Sequence, residues 1–166
     1  MFNFLKRKKY SNSSNSSLKL FAPVKGRIMD ISQVPDQVFA GCMIGDGVGI
    51  EPDEGLIVAP CDGEIAVLPP TLHAVALISN EGVEILIHVG LDTVELGGTG
   101  FTAHVKPGNK VRCGEKLLTF DLDYIRSQGK LLTTPIVITN MDEKVSKLMK
   151  FVDSGNGVIM EIALKN

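Results

Sequence analysis

The sequence predicts an all-β domain with small helical connections, and three observations support this. Apolar, β-branched runs from Leu18 onward are short and are interrupted by Gly, Pro and Asp. Seventeen glycines, seven phenylalanines and no tryptophan favour many tight turns over long helices. The segments "APVKGRI" (22–28) and "APCDGEI" (59–65) share the pattern A-P-x-x-G-x-I. Two similar strand–turn–strand units are typical of a barrel or sandwich assembled from related halves.

Length and charge indicate one acidic domain behind a basic tail. A chain of 166 residues suits one well-buried core and is short for two. Residues 1–17 hold four basic side chains and no acid, so the remainder carries 13 basic and 19 acidic groups, net −6. We expect this body to bind nucleic acid poorly and to complement basic protein surfaces.

The N-terminal segment is predicted to be a flexible tail, residues 1–17, preceding a single domain, residues 18–166. "SNSSNSS" is low in complexity and polar, as in flexible linkers. Before it, Phe2, Phe4 and Leu5 lie beside "KRKK". They could form an amphipathic patch that transiently contacts anionic membrane, or the segment could simply be a disordered solubilising tail.

Targeting signals and cysteine spacing favour a cytoplasmic protein. No apolar run follows "KRKK", so the N-terminus is not a secretory signal, and no segment approaches a membrane span. The three cysteines are odd in number and show no C-x-x-C spacing, which indicates neither a disulfide framework nor a zinc knuckle. Cys42 is expected to be a small buried hydrophobe.

Helical signals occur in two places. "DLDYIRSQG" predicts a short helix with Asp123 as its N-cap and Gly129 as its stop, while Asp121 serves a turn. "NMDEKVSKLMKFV" opens with a capping-box pair, Asn140 and Glu143, and continues with apolar residues at helical spacing. This second helix would pack on the core through Val145, Leu148, Met149 and Val152.

Two of the three histidines lie in what we interpret as a hairpin, residues 73–89. If Ser79 and Gly82 close the "SNEG" turn, His73 faces His88 across the two strands. Such partners share one face, with Cβ atoms roughly 4.5–5.5 Å apart. Thr71 is then on the same face, opposite Gly90. A register slip of one residue would send the histidines to opposite faces.

The chemistry of this pair depends on its apolar neighbours. They disfavour the imidazolium and leave one ring nitrogen as a nucleophile; they are Val75, Leu77, Ile85, Leu86, Ile87 and Val89. A second imidazole can donate a hydrogen bond to an anion attached to the first. The pair therefore suits a covalent phosphoryl intermediate or a metal site, and the alternative is two structural histidines without a function. His104 has no comparable partner and is expected to be structural or solvent-facing.

Missing motifs narrow the choice. "GDGVGIEPDEG" lacks the lysine and spacing of a nucleotide phosphate-binding loop, and no G-x-S-x-G occurs. Any phosphoryl group should therefore arrive on another protein. A zinc hydrolase with His73 and His88 as ligands stays open, although no H-x-H or H-E-x-x-H occurs. A biotinyl- or lipoyl-like carrier, modified at Lys110, is the other alternative.

"GVEILIHVGLDTVEL" (82–96) resembles the phosphorylation-site signature of the glucose-class enzyme IIA of the bacterial phosphoenolpyruvate-dependent sugar phosphotransferase system. Agreement extends to "VPDQVFA", "GDGVGIEP", "VAPCDGEI", "TLHA", "FDLDYI" and "TPIVITNMDE". The resemblance implies an antiparallel β-sandwich with barrel-like character, built as a duplicated hybrid motif with a few short helices. It implies a cytoplasmic phosphocarrier that accepts a phosphoryl group from the protein HPr and passes it to a sugar-specific EIIB domain.

The same resemblance implies roles for single residues. His88 would be phosphorylated through Nε2, His73 would steady the phosphoryl group, and Thr71 would orient His73. An apolar ring would dock partner proteins, with Asp36 and Asp92 meeting arginines of the donor. The ring consists of Val38, Phe39, Ile44, Leu86 and Val94; Leu86 and Pro69 stand where the family commonly has phenylalanine. No cofactor is required, although zinc could bridge His73 and His88 with a partner's carboxylate.

Overall fold

The computed structural model describes residues 16–153 and 157–166. In these ranges the strands are β1 Ser17–Phe21, β2 Gly26–Asp30, β3 Asp46–Pro52, β4 Leu56–Val58, β5 Gly63–Val67, β6 Ala74–Ser79, β7 Glu84–His88, β8 Phe101–Ala103, β9 Lys110–Val111, β10 Lys116–Phe120, β11 Thr134–Ile138, β12 Val145–Lys150 and β13 Val158–Leu164. The α-helices are α1 Gln37–Ala40, α2 Leu122–Ser127 and α3 Met141–Lys144, and 3-10 helices span Ile31–Gln33 and Thr93–Leu96.

The strands form three antiparallel sheets. The largest has the order β2-β3-β11-β7-β6-β5-β9, and the two smaller ones are β1-β13-β12 and β4-β10-β8. Across the described ranges no sheet closes into a barrel, since each has two edge strands. The predicted all-β class with a few short helices is confirmed.

Two apolar clusters lie on opposite faces of the seven-stranded sheet. The main core takes residues from all three sheets, among them Ile57, Ile136 and Ile162. Because side chains alternate along a strand, Val137 points away from Ile136 and joins a smaller cluster with Phe39. The smaller cluster contains Met29, Ile31, Val34, Phe39, Leu91 and Val137, with Ile44 and Leu86 packed against it. It supports the face on which His88 lies.

The sequence echo corresponds to a structural duplication. The Val58 N–H donates to the Pro23 carbonyl at 2.7 Å, and the Phe21 N–H donates to the Pro60 carbonyl at 2.9 Å. Phe21 and Val58 each directly precede the repeated segment, and Pro23 and Pro60 are its second residues, so the two bonds join equivalent positions reciprocally. In each repeat the glycine, Gly26 or Gly63, begins a strand. The two related halves therefore bond reciprocally, which confirms the predicted duplication.

The hairpin register differs from the prediction by one residue. His88 is paired with Ala74, and Val75 is paired with Ile87. The Ser79 N–H donates to the Val83 carbonyl, and Gly82 is left-handed at φ +89°. The loop therefore has three residues, with Gly82 supplying the positive φ that closes such a turn. The predicted Ser79–Gly82 turn does form, since the Gly82 N–H donates to the Ser79 carbonyl at 2.9 Å, but the strand register derived from it is wrong.

The predicted second helix is mostly wrong. Only Met141–Lys144 is helical, and Val145–Lys150 forms β12, which pairs with β13. The Asn140 side chain does not cap α3. Its Oδ1 accepts the Glu84 N–H and its Nδ2 donates to the Gly82 carbonyl, both at 2.9 Å. Pairing with a distant strand overrides the local helical pattern.

The first predicted helix is confirmed with a shifted N-cap. It begins at Leu122, and the Asp121 carboxylate accepts the Tyr124 N–H at 3.0 Å. Asp121 is therefore the cap, and Asp123 lies in the first turn. Gly129 is left-handed at φ +74° directly after the C-cap, as expected of a stop.

Predictions for Phe2, Phe4, Leu5 and "KRKK" lie outside the described residues. The division into a tail, 1–17, and a domain, 18–166, stays a prediction, although β1 already begins at Ser17. Within the described part of the chain, no helix has the length and apolar character needed to cross a bilayer.

Candidate histidine site

His88 ends β7 with its ring fixed by a backbone carbonyl. Its Nδ1 lies 2.7 Å from the Gly90 carbonyl oxygen. Since a carbonyl only accepts, Nδ1 carries the hydrogen and the neutral ring keeps its lone pair on Nε2. Gly90 is left-handed at φ +74°, and a side chain there would meet Thr93 Cγ2 and the Leu131 carbonyl. Position 90, which supplies the carbonyl, therefore accommodates only glycine.

His73 lies beside His88 despite the changed register. The ring centroids are 5.0 Å apart with an interplanar angle of 77°. His73 precedes β6 and follows Leu72, a left-handed residue at φ 54°, so its side chain does not obey the alternation of the strand. The predicted adjacency of the two rings is confirmed, whereas their directly opposed pairing is wrong.

Thr71 contacts the second histidine. Its Oγ1 lies 2.7 Å from His73 Nδ1, within the turn closed by the Leu72 N–H and the Pro69 carbonyl. If the hydroxyl donates to Nδ1, the proton of neutral His73 is on Nε2. Thr71 thus fixes the orientation of the ring and can select its tautomer.

Burial keeps both imidazoles neutral. Desolvation lowers the pKa of His88, and the bond to Gly90 and the carboxylates of Asp36 and Asp92 partly oppose this. Desolvation also lowers the pKa of His73, with a further decrease from the charge of His88. A neutral imidazole with a free Nε2 is a nucleophile or a metal ligand at neutral pH.

The apolar residues around the pair occupy two levels. The Phe39 ring is 5.1 Å from the His88 ring and is 95% buried, so it forms part of the floor. Ile44 and Leu86 are partly buried against the same small cluster. Val38, next to Phe39 in α1, and Val94, in the 3-10 helix after the β7 loop, are 43% and 49% exposed. Phe39, Ile44 and Leu86 therefore share one cluster beside His88, while the place of Val38 and Val94 in a docking ring stays a prediction.

The two predicted acids differ in their local bonds. Asp36 is the N-cap of α1, and its Oδ1 accepts the Val38 N–H at 2.9 Å. Asp92 is exposed and left-handed at φ 58°, and its side chain makes no capping bond to the 3-10 helix that follows. Asp92 is thus the acid more available to a partner.

Two exposed apolar residues near the site escaped the sequence analysis. Met43 is 75% exposed, and its N–H donates to the Val38 carbonyl. Leu131 is 53% exposed, and its carbonyl accepts the Leu91 N–H. Their exposure could have been predicted from their positions in turn-rich segments, because such segments usually run over the protein surface.

Each of the three described non-glycine residues with positive φ is linked to the histidine site through a chain neighbour or, for Cys42, through a backbone bond to Phe39. They are Cys42, which follows α1, Leu72, which precedes His73, and Asp92, which follows the β7 loop. Cys42 is exposed, so its expected burial is wrong. Left-handed backbone costs an L residue about 1–2 kcal/mol. Local strain therefore concentrates at this site.

The alternatives from the sequence gain no support from the geometry. Among residues 16–153 and 157–166, no group of three or more His, Cys, Asp and Glu is placed to hold a metal. A hydrolytic zinc site would need such a third ligand. Lys110 lies in β9 paired with Glu64, not at the tip of a turn where a carrier lysine would be modified. His104 is exposed and contacts Thr119 Oγ1, as expected.

Fold and site together define a histidine-centred protein built on a duplicated antiparallel framework. Residues 18–144 match the family described as phosphoenolpyruvate-dependent sugar phosphotransferase system, EIIA 1, and the chain belongs to this family. It is a phosphocarrier of sugar uptake, in a family of phosphotransferases, and it acts with the phosphocarrier and sugar-specific components of that system.

Relatives and a solved structure agree with this family. Proteins of Bacillus cereus and Bacillus anthracis, each named PTS system glucose-specific EIIA component, are 52% identical over 130 residues. The match covers 78% of this chain and 79% of theirs. The glucose permease IIA of Mycoplasma capricolum superposes with a TM-score of 0.81 at 35% identity, covering 89% of this chain and 96% of that one.

Proposed function

We propose that His88 accepts a phosphoryl group on Nε2 from phosphorylated HPr and passes it to a sugar-specific EIIB domain. The observation that supports this most directly is the bond between His88 Nδ1 and the Gly90 carbonyl, which leaves Nε2 free. The lowered pKa of His88 keeps that nitrogen unprotonated at neutral pH. Phosphoryl transfer needs such a positioned nucleophile and little other covalent chemistry.

The transfer is balanced without a cofactor. The His88 Nε2 lone pair forms the new N–P bond in line with the donor's N–P bond, which breaks and returns its electron pair to the donor imidazole. His88 retains its Nδ1 proton on the Gly90 carbonyl, which disperses the positive charge that develops on the ring. The second transfer reverses these roles with the acceptor as nucleophile.

His73 would steady the phosphoryl oxygens. With the Thr71 hydroxyl donating to Nδ1, His73 Nε2–H is free to donate to the group on the neighbouring ring 5.0 Å away. A partner that covers Val38 and Val94 would exclude water, which strengthens this bond and protects the N–P bond from hydrolysis. Asp92 would meet a basic side chain of the donor.

The acceptor is proposed to belong to the glucose class, because the relatives at 52% identity are named glucose-specific. A cytoplasmic location fits such partners. Zinc is not required by this chemistry; the two imidazoles could supply two ligands, and a partner's carboxylate would have to supply another.

The test is phosphorylation with labelled phosphoenolpyruvate, enzyme I and HPr. We expect one acid-labile phosphate, absent from His88→Ala. His73→Gln should still be labelled at His88 but fail to transfer to EIIB. His104→Gln, which changes an exposed histidine away from the site, is the matched control and should behave as wild type.

Label on a residue other than His88, or normal onward transfer by His73→Gln, would contradict the proposal. Metal-dependent hydrolysis of a peptide without any labelling would favour the zinc enzyme instead. Thr71→Val should resemble a weaker form of His73→Gln, since it removes only the hydroxyl that orients the ring.

A further inference from the structure

The Gly90 carbonyl that fixes His88 is itself held by its neighbours. The peptide that contains this carbonyl also contains the Leu91 N–H, which donates to the Leu131 carbonyl at 3.0 Å. One edge of the Gly90–Leu91 peptide is therefore bonded to His88 and the opposite edge to the segment before β11. The orientation of Gly90 also depends on the other peptide in which it takes part, the Val89–Gly90 peptide.

Two buried threonines hold the preceding peptide. The Thr93 Oγ1–H donates to the Val89 carbonyl at 2.6 Å, and the Gly90 N–H donates to Thr134 Oγ1 at 3.4 Å. Both side chains are fully buried. Thr134 donates its own proton to the Leu132 carbonyl at 2.8 Å, so its oxygen presents a lone pair to Gly90.

We propose that Thr93 and Thr134 act as a hydroxyl clamp that positions the Gly90 carbonyl and thereby fixes the Nδ1–H tautomer of His88. Each hydroxyl engages one edge of the Val89–Gly90 peptide, so rotation of this plane breaks one bond or the other. Glycine has wide conformational freedom, and two hydrogen bonds restrict it where no side chain can. Both residues act through Gly90 and touch no phosphoryl group; they are positioning residues.

The two threonine hydrogen bonds differ in length, so the proposal predicts effects of different size. The Thr93 bond is short and the Thr134 bond is long, so removing the Thr93 hydroxyl should loosen Gly90 more. Buried threonines are also expected to stabilise the fold, and the test must separate this effect from positioning. Thr133 offers the control, because it is buried next to Thr134 but donates to Glu51 Oε2, away from Gly90.

The experiment measures the His88 tautomer by long-range ¹H–¹⁵N NMR correlations in Thr93→Val, Thr134→Val and the control Thr133→Val. Wild type should show the Nδ1–H form. Thr93→Val should shift the tautomer ratio toward Nε2–H by about fivefold, the loss of roughly one hydrogen bond, and Thr134→Val by less. Serine at either position keeps the hydroxyl and should restore the wild-type ratio.

A stable Nδ1–H tautomer in both folded valine variants, or an equal shift in Thr133→Val, would overturn the proposal. If a valine variant fails to fold, hydrogen exchange in wild type decides: the Gly90 N–H should be strongly protected, and free exchange would refute the clamp.

This inference rests on the proposed function only for its kinetic consequence. Phosphorylation of Thr93→Val by HPr should slow by up to about fivefold, following the shift in the tautomer ratio, because Nε2 is less often a free nucleophile. The tautomer is measured without HPr, so failure of the clamp and failure of the phosphocarrier mechanism give different results.

Discussion

At the scale of single residues, the arrangement turns on which ring nitrogen bears a hydrogen. His88 bonds to a carbonyl through Nδ1, whereas His73 bonds to a hydroxyl that can donate or accept. The first ring is therefore committed to one tautomer and the second can take either. This difference suits one ring to attack and the other to donate.

The histidines also make stability depend on pH. Their folded-state pKa values are lowered, so the unfolded chain binds protons more readily. The contribution of the two neutral histidines to the free energy of unfolding is complete above the pKa of about 6.5 that a histidine has in the unfolded chain. It is lost as the pH falls from there toward their lower pKa values in the folded protein. We expect the free energy of unfolding to decrease from pH 7 to pH 5 less steeply in a His73→Gln/His88→Gln variant than in wild type. The free energy of unfolding is measured by urea titration at each pH. If it fell equally steeply with pH in the two proteins, burial would not perturb the pKa values of the pair.

At the scale of elements, one lysine joins two sheets. Lys150 on β12 bonds to Asp30 Oδ1 on β2 at 2.8 Å and to Asp46 Oδ1 on β3 at 2.5 Å. The bond from Lys150, followed by bonds from Ser32, lowers the pKa of Asp30 to about 2. Asp46 also begins the strand that follows the loop of Cys42, and the Cys42 Sγ lies 3.8 Å from Asp46 Oδ1, so this ion cluster anchors that loop.

Lys150→Met should destabilise the fold by roughly 1–2 kcal/mol, since the pairs are charged hydrogen bonds but are partly exposed to screening solvent. The Asp30 pKa should rise toward 3.8, measured by NMR titration. In wild type the stabilisation from Asp30 is complete above pH 3.8 and is lost as the pH falls to about 2. Lys147→Met, an exposed lysine on the same strand, is the control; an equal loss in both variants would argue against the cluster.

The hairpin that carries both histidines depends on Asn140 from outside. Asn140→Ala removes an acceptor from the Glu84 N–H and a donor to the Gly82 carbonyl, and should cost roughly 1–2 kcal/mol. Asn140→Asp keeps the acceptor and should lose less. Hydrogen exchange of the Glu84 amide reports the change locally, and unchanged protection in Asn140→Ala would contradict this role.

At the scale of the whole molecule, the duplication predicts paired effects. A methyl group on Gly26 would overlap the Glu51 carbonyl, and one on Gly63 would overlap the Ile78 carbonyl. Gly26→Ala and Gly63→Ala should each destabilise the fold by roughly 2–3 kcal/mol or more, because the backbone of a paired strand must move. Gly97→Ala is the control, with open space around it and only the strain of φ +61°, about 1 kcal/mol. A mild effect in one repeat alone, measured by thermal unfolding, would refute their equivalence.

The overall class and the central pair could be predicted because their signals are local. Short β-branched runs predict strands, and the "SNEG" turn brings the two histidine-bearing segments together. The register could not be read from the same letters, since "SNEG" suits a two-residue loop or a three-residue loop closed by a left-handed Gly82. The adjacency of His73 survives through Leu72, whose backbone conformation has no sequence signature in a leucine.

The helix that was wrongly predicted from residue 145 onward shows where local signals fail. From residue 145 onward the chain has helical spacing, yet it pairs with β13, and only that distant strand decides the outcome. The Gly90 carbonyl was missed for a related reason. Its importance depends on where Leu131 and β11 pass behind it, which no spacing within the signature reveals.

The left-handed backbone at Cys42, Leu72 and Asp92 lowers the stability of the loops around the two imidazoles, and relieving it would have a functional cost. Glycine at any of these three positions would relieve unfavourable torsion, yet it would also remove a side chain beside the proposed docking surface and would loosen the loop. Engineering for heat resistance should therefore find its easiest gains at these loops, and those gains should come with slower handover of the phosphoryl group.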